Sequence, residues 1–160
     1  MNGAAYYVVY GNKCGTKNRY KKIKKVTALN YTQKKLKKGT YYKFIIVALD
    51  ENNNVISISK MVHAATPGGK VGNHKAVTTK AKKNKVTIKK GKAFKLRARA
   101  VPKSKKLKVK IHRGTAYEST DTKVATVSKK GVIKAKAKGT CYVYAYVQSG
   151  ICKRIKVTVR

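Results

Sequence analysis

The chain has 160 residues, which is enough for one domain or two small ones. Lysine and arginine together number 41 against only 4 aspartates and glutamates, so the formal net charge is +37. With so few carboxylates, catalysis by paired acids is nearly excluded. Anions such as teichoic acids, acidic glycans, anionic lipid or nucleic acid must balance the charge. No run of about 18 apolar residues occurs, so the sequence predicts no membrane-spanning helix.

The first part of the chain alternates between apolar runs and polar turns, which is typical of β-strands. We expect strands at residues 4–10, 20–26, 40–49 and 55–62, with a short strand or bend at 30–32. The last two long runs flank a polar hairpin loop at residues 50–54. In the run at 40–49, the residues expected to share one side are Tyr42, Phe44, Ile46 and Ala48.

Four segments of this part are similar to the later part of a fibronectin type III domain. They are Tyr6–Tyr10, Tyr20–Ile23, Tyr31–Thr32 and Lys38–Phe44. The resemblance covers about residues 4–66 and implies a β-sandwich whose first two strands, with the usual core tryptophan, would precede Met1. A sandwich without these strands would expose an edge and one face of its core. Either the chain is part of a longer protein, or another segment covers that face.

Residues 66–74 mark the best boundary in the chain, because they are rich in glycine and proline and show no periodicity. The stretch is neither long nor rich in serine, so we expect a short, partly ordered hinge. We therefore predict a partial fibronectin type III-like module at 1–66, a linker at 67–76 and a second module at 77–160.

The second part repeats the alternation, with turns about every eight to twelve residues as in all-β sandwiches. Two stretches in which apolar residues alternate with basic ones predict strands, namely Phe94, Leu96, Ala98 and Ala100, and then Leu107, Val109 and Ile111. The chain closes with a predicted hairpin of strands at 140–147 and 151–159. No helix of useful length is predicted.

An ungapped series of motifs covers residues 117–140. An aromatic residue and a polar turn precede the strand Val124–Val127, and Gly131 allows the next turn to adopt positive φ. The following strand alternates lysines with the inward-facing residues Ile133, Ala135 and Ala137. A Lys-Gly-Thr triplet then opens a long strand.

This series resembles the signature of the group 2 bacterial immunoglobulin-like domain. The resemblance implies a β-sandwich in a secreted or cell-surface protein, where such modules often act as repeated spacers or adhesive units, and it implies no catalysis. Together the two parts predict an all-β fold of two tandem immunoglobulin-like β-sandwich modules. They leave open whether the first module is complete.

The register of the final hairpin can be predicted from its apolar residues. Those that belong in the core are Cys141, Val143, Ala145, Val147, Ile155, Val157 and Val159. A three-residue loop with Gly150 in the left-handed conformation places all of them on one face, whereas a two-residue loop would separate them. We therefore expect Cys141 to point inward and Cys152 outward. Because the cysteine count is odd, we expect them and Cys14 to be free thiols.

The same register places three tyrosines on the outer face, with basic residues near them. The candidate ligand-binding residues are Lys108, Lys110, Tyr142, Tyr144, Tyr146, Arg154 and Lys156. In an immunoglobulin-like strand order, the first two lysines would lie on one side of the tyrosines, and the arginine and third lysine on the other. Tyrosine rings stack on sugars or bases, and cationic groups pair with phosphate or carboxylate. The structural alternative is that tyrosine beside lysine only stabilises the strands.

No catalytic, metal or cofactor site is predicted. The segment Asp50–Asn54 clusters oxygen atoms but lacks the spacing of a calcium loop, so a polar hairpin tip is favoured. His63, His74 and His112 do not pair with cysteines at metal-binding spacing. No nucleophile and base are recognisable as a pair.

The sequence therefore favours a non-catalytic spacer or adhesion module of a bacterial cell-surface or secreted protein, joined to other modules of a longer parent chain. Its expected partner is an anionic cell-wall polymer or an acidic glycan, held by the basic surface. The alternative is a nucleic-acid-binding protein that acts through its charge. Because no groove-reading helix or RNA-recognition motif is present, nucleic acid is expected to bind only non-specifically.

Overall fold

A computed structural model describes residues 3–15, 17 and 19–160. Strands dominate, as predicted, and the only helical segment in these residues is a three-residue 3-10 turn, Lys82–Asn84. The described part contains no helix with the length and hydrophobicity that crossing a bilayer requires. The chain forms two compact units, which are Met1–Asn73 with Lys106–His112 and His74–Lys105 with Arg113–Arg160. The module boundary within 67–76 stays a prediction.

The first unit is built on a five-stranded antiparallel sheet. Its strands are β1 (Tyr6–Lys13), β2 (Lys21–Val26), β3 (Tyr41–Leu49), β4 (Val55–Ile58) and β5 (Val62–Ala65). β1 and β3 lie at the centre, β2 borders β1, and β4 and β5 pair with opposite halves of β3. The run at 55–62 thus belongs to two strands rather than one. The break begins at Ser59, whose side chain accepts a hydrogen bond from the Ile46 N–H.

Tyr42 fastens the start of β3 to the turn before it. Its hydroxyl accepts a hydrogen bond from the backbone N–H of Lys37 at 3.1 Å. This contact has the form of the tyrosine corner found in immunoglobulin-like sandwiches. At the same turn Gly39 packs directly on Gly69, where an added Cβ would lie 2.4 Å from the Gly39 Cα. The chain after β5 is therefore held against this turn.

Some side chains on each face of β3 are buried. The four residues predicted to share one side do so, but Ala48 is buried while Ile46 is 43% exposed. On the opposite face, Tyr41 and Lys43 are both buried. The Tyr41 ring lies 4.7 Å from that of His112 in the Lys106–His112 segment of the same unit. Burial on two sides explains why the sequence of β3 is almost continuously apolar.

The segment Leu107–Ile111 is not the strand that its alternation predicted. It lies in the first unit, where Lys108 forms an isolated parallel bridge with Val71. One bridging residue pair does not hold the segment in a sheet with one buried and one exposed face. Leu107 is therefore 36% exposed and Ile111 66% exposed. The alternation was therefore a misleading signal, because it lacked a partner strand along its length.

The second unit is a β-sandwich, as predicted. Its strands are β6 (His74–Thr78), β7 (Lys85–Ile88), β8 (Ala93–Lys95), β9 (Arg99–Pro102), β10 (Ala116–Ser119), β11 (Ala125–Val127), β12 (Val132–Ala135), β13 (Gly139–Tyr146) and β14 (Cys152–Val159). The large sheet has the order β10-β13-β14-β7, in which β7 is parallel to β14. A second sheet has the order β11-β12-β8, and β6 pairs with β9.

The core of this unit is aliphatic. Its largest side chains with less than 2% exposure are Leu96, Ile133, Val143, Ile155 and Val157. They come from both main sheets and, for Leu96, from the residue just after β8, and they form one cluster, as the inner faces of a sandwich do. Burial of each such side chain stabilises the fold by about 1.5–3 kcal/mol.

The predicted strand from Phe94 to Ala100 is divided between two sheets. β8 pairs with β12, whereas β9 pairs with β6. Between them Arg97 adopts a φ of +48°, in the left-handed region, which turns the chain out of the first sheet. The alternation of buried and exposed residues continues through this turn, so the sequence pattern predicted one strand.

The final hairpin has the predicted register. Cys141 lies opposite Val157, and both are buried on the core face. The backbone N–H of Val147 donates to the carbonyl of Ile151 at 3.0 Å and closes the loop. Gly150 has a φ of +85°, as the predicted three-residue loop requires.

We predict that Gly131→Ala strongly destabilises the second unit. Gly131 has a φ of +71°, and an added Cβ would lie 2.6 Å from Cζ of Tyr117. The left-handed conformation costs alanine about 1–2 kcal/mol, and crowding the ring costs about 1–3 kcal/mol more. Gly91→Ala is the control, because its φ is +81° but nothing lies within 4 Å of its added Cβ. Chemical denaturation measures the free energy of unfolding of both variants. If both lose the same amount relative to the wild type, the close approach of Tyr117 to Gly131 is contradicted.

The hairpin register also predicts different reactivity for two thiols. Cys152 is exposed, whereas Cys141 is 2% exposed and burial raises the pKa of its thiol. A maleimide should therefore label Cys152 rapidly in the native protein and leave Cys141 unmodified until unfolding. Mass spectrometry should show that Cys152→Ser loses this rapid labelling and that Cys141→Ser keeps it. Rapid labelling of Cys141 would mean that the register is wrong.

Candidate functional site

The outer face of the large sheet in the second unit carries three tyrosines. Side chains of β13 alternate between its faces, so Cys141, Val143 and Ala145 are buried. The partly exposed residues between and after them are Tyr142, Tyr144 and Tyr146. The structure thus places the tyrosines on the side away from the core, as the register predicted.

Strand pairing arranges the neighbours of these tyrosines in three rows. The rows are Lys85–Lys156–Tyr142, Arg154–Tyr144–Glu118 and Cys152–Tyr146–Ala116. Neighbours across an antiparallel pair have Cβ atoms about 5 Å apart, so side chains within a row can touch. We call this surface the tyrosine face and define it as Lys85, Glu118, Tyr142, Tyr144, Tyr146, Arg154 and Lys156.

Ring contacts order the tyrosine face. The rings of Tyr144 and Tyr146 stack with centroids 5.8 Å apart and an interplanar angle of 17°. The guanidinium carbon of Arg154 lies 4.9 Å from the centroid of the Tyr142 ring, within cation–π range. The face therefore offers aromatic rings next to a guanidinium group that has several N–H donors.

Tyr146 keeps its phenol proton at physiological pH. Burial raises the pKa of Tyr146, and the charge of Glu118, followed by Cys152 and Tyr144, raises it further. A protonated phenol can donate a hydrogen bond to an anionic oxygen. This edge of the tyrosine face therefore combines a donor with an aromatic ring.

Lys108 and Lys110 are not part of the tyrosine face. The prediction assumed that their strand would pair beside β13, but β10 occupies that place. Both lysines lie in the first unit, in the segment that did not form a strand. Their predicted placement is wrong, and the tyrosines do not lie between two basic stripes. Cations flank them on the β14 side, and Glu118 flanks them on the β10 side.

Two residues of the tyrosine face were not predicted from the sequence. Lys85 reaches it through the parallel pairing of β7 with β14, which joins distant parts of the chain and leaves no local pattern. The neighbours of Glu118 on β10 determine which way it faces. Tyr117 packs on the core and the Ser119 hydroxyl donates to the carbonyl of Ala125, so the residue between them must face outward.

The loop after β3 is a polar hairpin tip, as predicted. Asp50 accepts hydrogen bonds from the N–H groups of Asn52 and Asn54, at 2.9 and 2.7 Å, and from the Asn54 side-chain amide at 3.0 Å. These bonds, above all that of the Asn54 side chain, lower the pKa of Asp50. The carboxylate thus serves to close the hairpin.

The three histidines do not contribute to the tyrosine face. In the first unit, His63 and His112 stack with centroids 5.6 Å apart, and in the second unit His74 begins β6. Across residues 3–15, 17 and 19–160, no group of three or more histidine, cysteine, aspartate or glutamate side chains is arranged to hold a metal ion.

Solved structures that are similar to this chain include two sets of S-layer protein domains and one set of fibronectin(III)-like modules. Domains 4 and 5 of the S-layer protein SbsC are 12% identical to it, with a TM-score of 0.46, over 73% of this chain and 64% of theirs. The fibronectin(III)-like modules of Clostridium thermocellum CbhA are 15% identical, with a TM-score of 0.35, over 100% of this chain and 81% of theirs. Domains 1–6 of surface layer protein SbsC are 14% identical, with a TM-score of 0.36, over 99% of this chain and 22% of theirs. This chain thus spans only 64% of the length of the first of these structures.

No curated protein matches this chain. A family model for the bacterial Ig-like domain (group 2) matches residues 75–158, which include the whole tyrosine face. The match confirms the resemblance that residues 117–140 predicted. Because the matched residues make up more than half of the chain, this protein belongs to the group 2 family of bacterial Ig-like domains.

Proposed function

We propose that the chain is a non-catalytic spacer or adhesion module of a bacterial cell-surface or secreted protein. Its tyrosine face binds an anionic wall polymer or an acidic glycan. Family membership supports the general class of a surface or adhesion-type module. It also supports the absence of catalysis, since immunoglobulin-like domains are typically non-catalytic. The parent protein is expected to carry further modules, and its own activity is not implied by this chain.

The proposal is based on the way strand pairing arranges aromatic and cationic residues in rows on the tyrosine face. Tyr144 and Tyr146 present stacked rings, and on the next strand Arg154 stands directly opposite Tyr144 and Lys156 directly opposite Tyr142. Aromatic rings pack against the apolar faces of sugars, while guanidinium and ammonium groups pair with phosphate, sulfate or carboxylate. An acidic glycan has both features, so it can contact the rings and the cations at the same time.

The net charge attracts anions from a distance, whereas the cations of the tyrosine face determine where these anions bind. A net charge of +37 attracts any polyanion and speeds its encounter. At physiological ionic strength the Debye length is about 8 Å, so distant lysines are largely screened from a bound ligand. The cations of the tyrosine face are therefore the ones that fix where a chain of anions lies.

Replacing all three tyrosines tests the aromatic part of the proposal. We expect Tyr142→Ser, Tyr144→Ser and Tyr146→Ser in one variant to weaken binding to purified cell wall or a heparin-like glycan at least about tenfold. Stacking on an aromatic side chain is worth about 1–3 kcal/mol per ring. Tyr31→Ser, at an exposed tyrosine of the first unit, is the control. Unchanged affinity of the triple variant, with circular dichroism showing an intact fold, would remove the proposal.

A salt series tests the cationic part. Arg154→Ala with Lys156→Ala should reduce the slope of log affinity against log salt by about 1–2, because each released counterion contributes nearly one. The control pair, Lys129→Ala with Lys130→Ala, makes the same change in net charge at an exposed turn and should alter the slope less. Cell wall, heparin-like glycan and DNA are compared in parallel. Equal slopes for all three ligands, with equal losses in both variants, would show that binding is non-specific.

The same salt series also tests the alternative that the chain binds nucleic acid. If DNA binds most tightly and its affinity falls selectively in the Arg154 and Lys156 variant, DNA would replace the glycan as the proposed ligand.

A further inference from the structure

β4 forms one edge of the five-stranded sheet in the first unit. It pairs with β3 on one side, and no other strand of the described residues pairs with it on the other. The N–H of Ser59, directly after β4, donates to the carbonyl of Ile46 at 2.8 Å. Because backbone groups point alternately to the two sides of a strand, the N–H and carbonyl of Ile58 point away from β3. We call this open side of Val55–Ile58 the β4 edge, since its backbone groups can pair with another strand.

Apolar side chains surround the β4 edge. Val55, Ile56 and Ile58 are all exposed, and Ile58 is 59% exposed. On the neighbouring strand the exposed Ile46 lines a cavity together with the exposed Tyr31. Exposed apolar surface that is concentrated in this way marks an interaction site in a folded protein.

The opposite edge of the same sheet is protected against pairing. It is formed by β2, whose sequence Lys-Lys-Ile-Lys-Lys-Val exposes all four lysines. Lysines on an edge strand are a common means of keeping other strands away, because two such edges repel each other. β4 has the sequence Val-Ile-Ser-Ile, with no charged residue and no proline. The sheet therefore has one blocked edge and one edge that is open to another strand.

The hairpin that contains the β4 edge is free of positive charge. Residues 44–59 contain no lysine or arginine, and this is the longest such stretch in a chain with 41 of these residues among 160. The stretch also holds Asp50 and Glu51, which are two of the four acidic residues. The charge of this hairpin is thus opposite in sign to that of the chain as a whole.

This charge distribution indicates which partner fits the β4 edge. A surface that binds an acidic partner gains from lysines, because they attract it. A surface without bases is instead suited to a partner that is itself basic, since like charges across an interface are unfavourable. A second copy of this chain, with a net charge of +37, is such a partner.

We propose that two copies of this chain associate through the β4 edge, with their β4 strands antiparallel and their sheets joined. The same surface then meets itself about a two-fold axis, which gives a closed dimer. Val55 and Ile58 of each copy are covered by the other, and no base within residues 44–59 opposes another. The antiparallel arrangement also places the two acidic tips at opposite ends of the shared ladder. This association goes beyond the proposed function and does not depend on the ligand of the tyrosine face.

Sedimentation of the whole chain at different salt concentrations tests the dimer. The strand is short, so we expect weak association that is visible at protein concentrations up to about 1 mM. Raising the salt from about 0.1 to about 1 M shortens the Debye length from about 10 to about 3 Å and screens the repulsion between copies. The dimer fraction should therefore rise with salt. A chain that stays monomeric at both salt concentrations, or a dimer that dissociates in high salt as one bridged by a polyanion would, overturns the proposal.

Two isoleucine variants locate the interface. Ile58→Lys should weaken dimerisation at least about tenfold, because each dimer would then hold two lysines in place of two buried isoleucines. Ile111→Lys is the matched control, since it makes the same change at a residue of the first unit that is 66% exposed and lies outside the strands. If both variants dimerise equally well, the β4 edge is not the interface.

Hydrogen exchange of the wild type gives a second measurement that needs no variant. The Ile58 amide faces the open edge, so it exchanges rapidly in the monomer and becomes protected when another strand pairs with it. In high salt, raising the protein concentration should increase protection within Val55–Ile58 and leave Lys21–Val26 on the opposite edge unchanged. Unchanged protection of Val55–Ile58, or a gain in Lys21–Val26, would overturn the proposal.

Discussion

The pairing register of β13 with β14 decides what both faces of the large sheet carry. Side chains on a strand alternate, so a slip of one residue would turn the tyrosines inward and the aliphatic residues outward. The loop at Gly150 sets the register locally, and burial of Val143, Ile155 and Val157 sets it again through the core. Since each buried aliphatic side chain contributes about 1.5–3 kcal/mol, a slipped hairpin would lose several such contributions at once. The arrangement of the tyrosine face is thus fixed by packing on the other side of the sheet.

Alternation also explains how a fold with so much positive charge remains compact. On β12, Lys134 is exposed between Ile133 and Ala135, which are buried, so the charge is solvated while the strand contributes to the core. Lys43 on β3 is an exception, because it is 4% exposed. Its ammonium group donates to the carbonyl of Lys17 and lies 5.0 Å from the centroid of the Tyr20 ring. Polar and aromatic contacts therefore replace solvent where a lysine is buried.

The parts of this structure that local patterns determine were predictable, and the parts that depend on distant pairing were not. The all-β class, the polar loop at Asp50 and the final hairpin follow from residues that are neighbours in the sequence. The placement of Lys108 and Lys110 failed because alternation shows which residues share a face but not which strand lies beside them. For the same reason Lys85 was missed, since parallel pairing of β7 with β14 has no signature in either strand. Arg97 adopts positive φ although it is not a glycine, so the turn that it makes between the two sheets could not be predicted from the sequence either.

The parallel pair of β7 and β14 has a mechanical consequence. Lys85–Ile88 and Lys156–Val159 run side by side in the same direction. A tension that pulls the first strand by its amino end and the second by its carboxyl end acts along the ladder, in shear. All of the hydrogen bonds between the two strands then resist together, whereas strands drawn apart from one end would break them one after another. This pairing therefore lets the last strand of the chain bear load without unzipping.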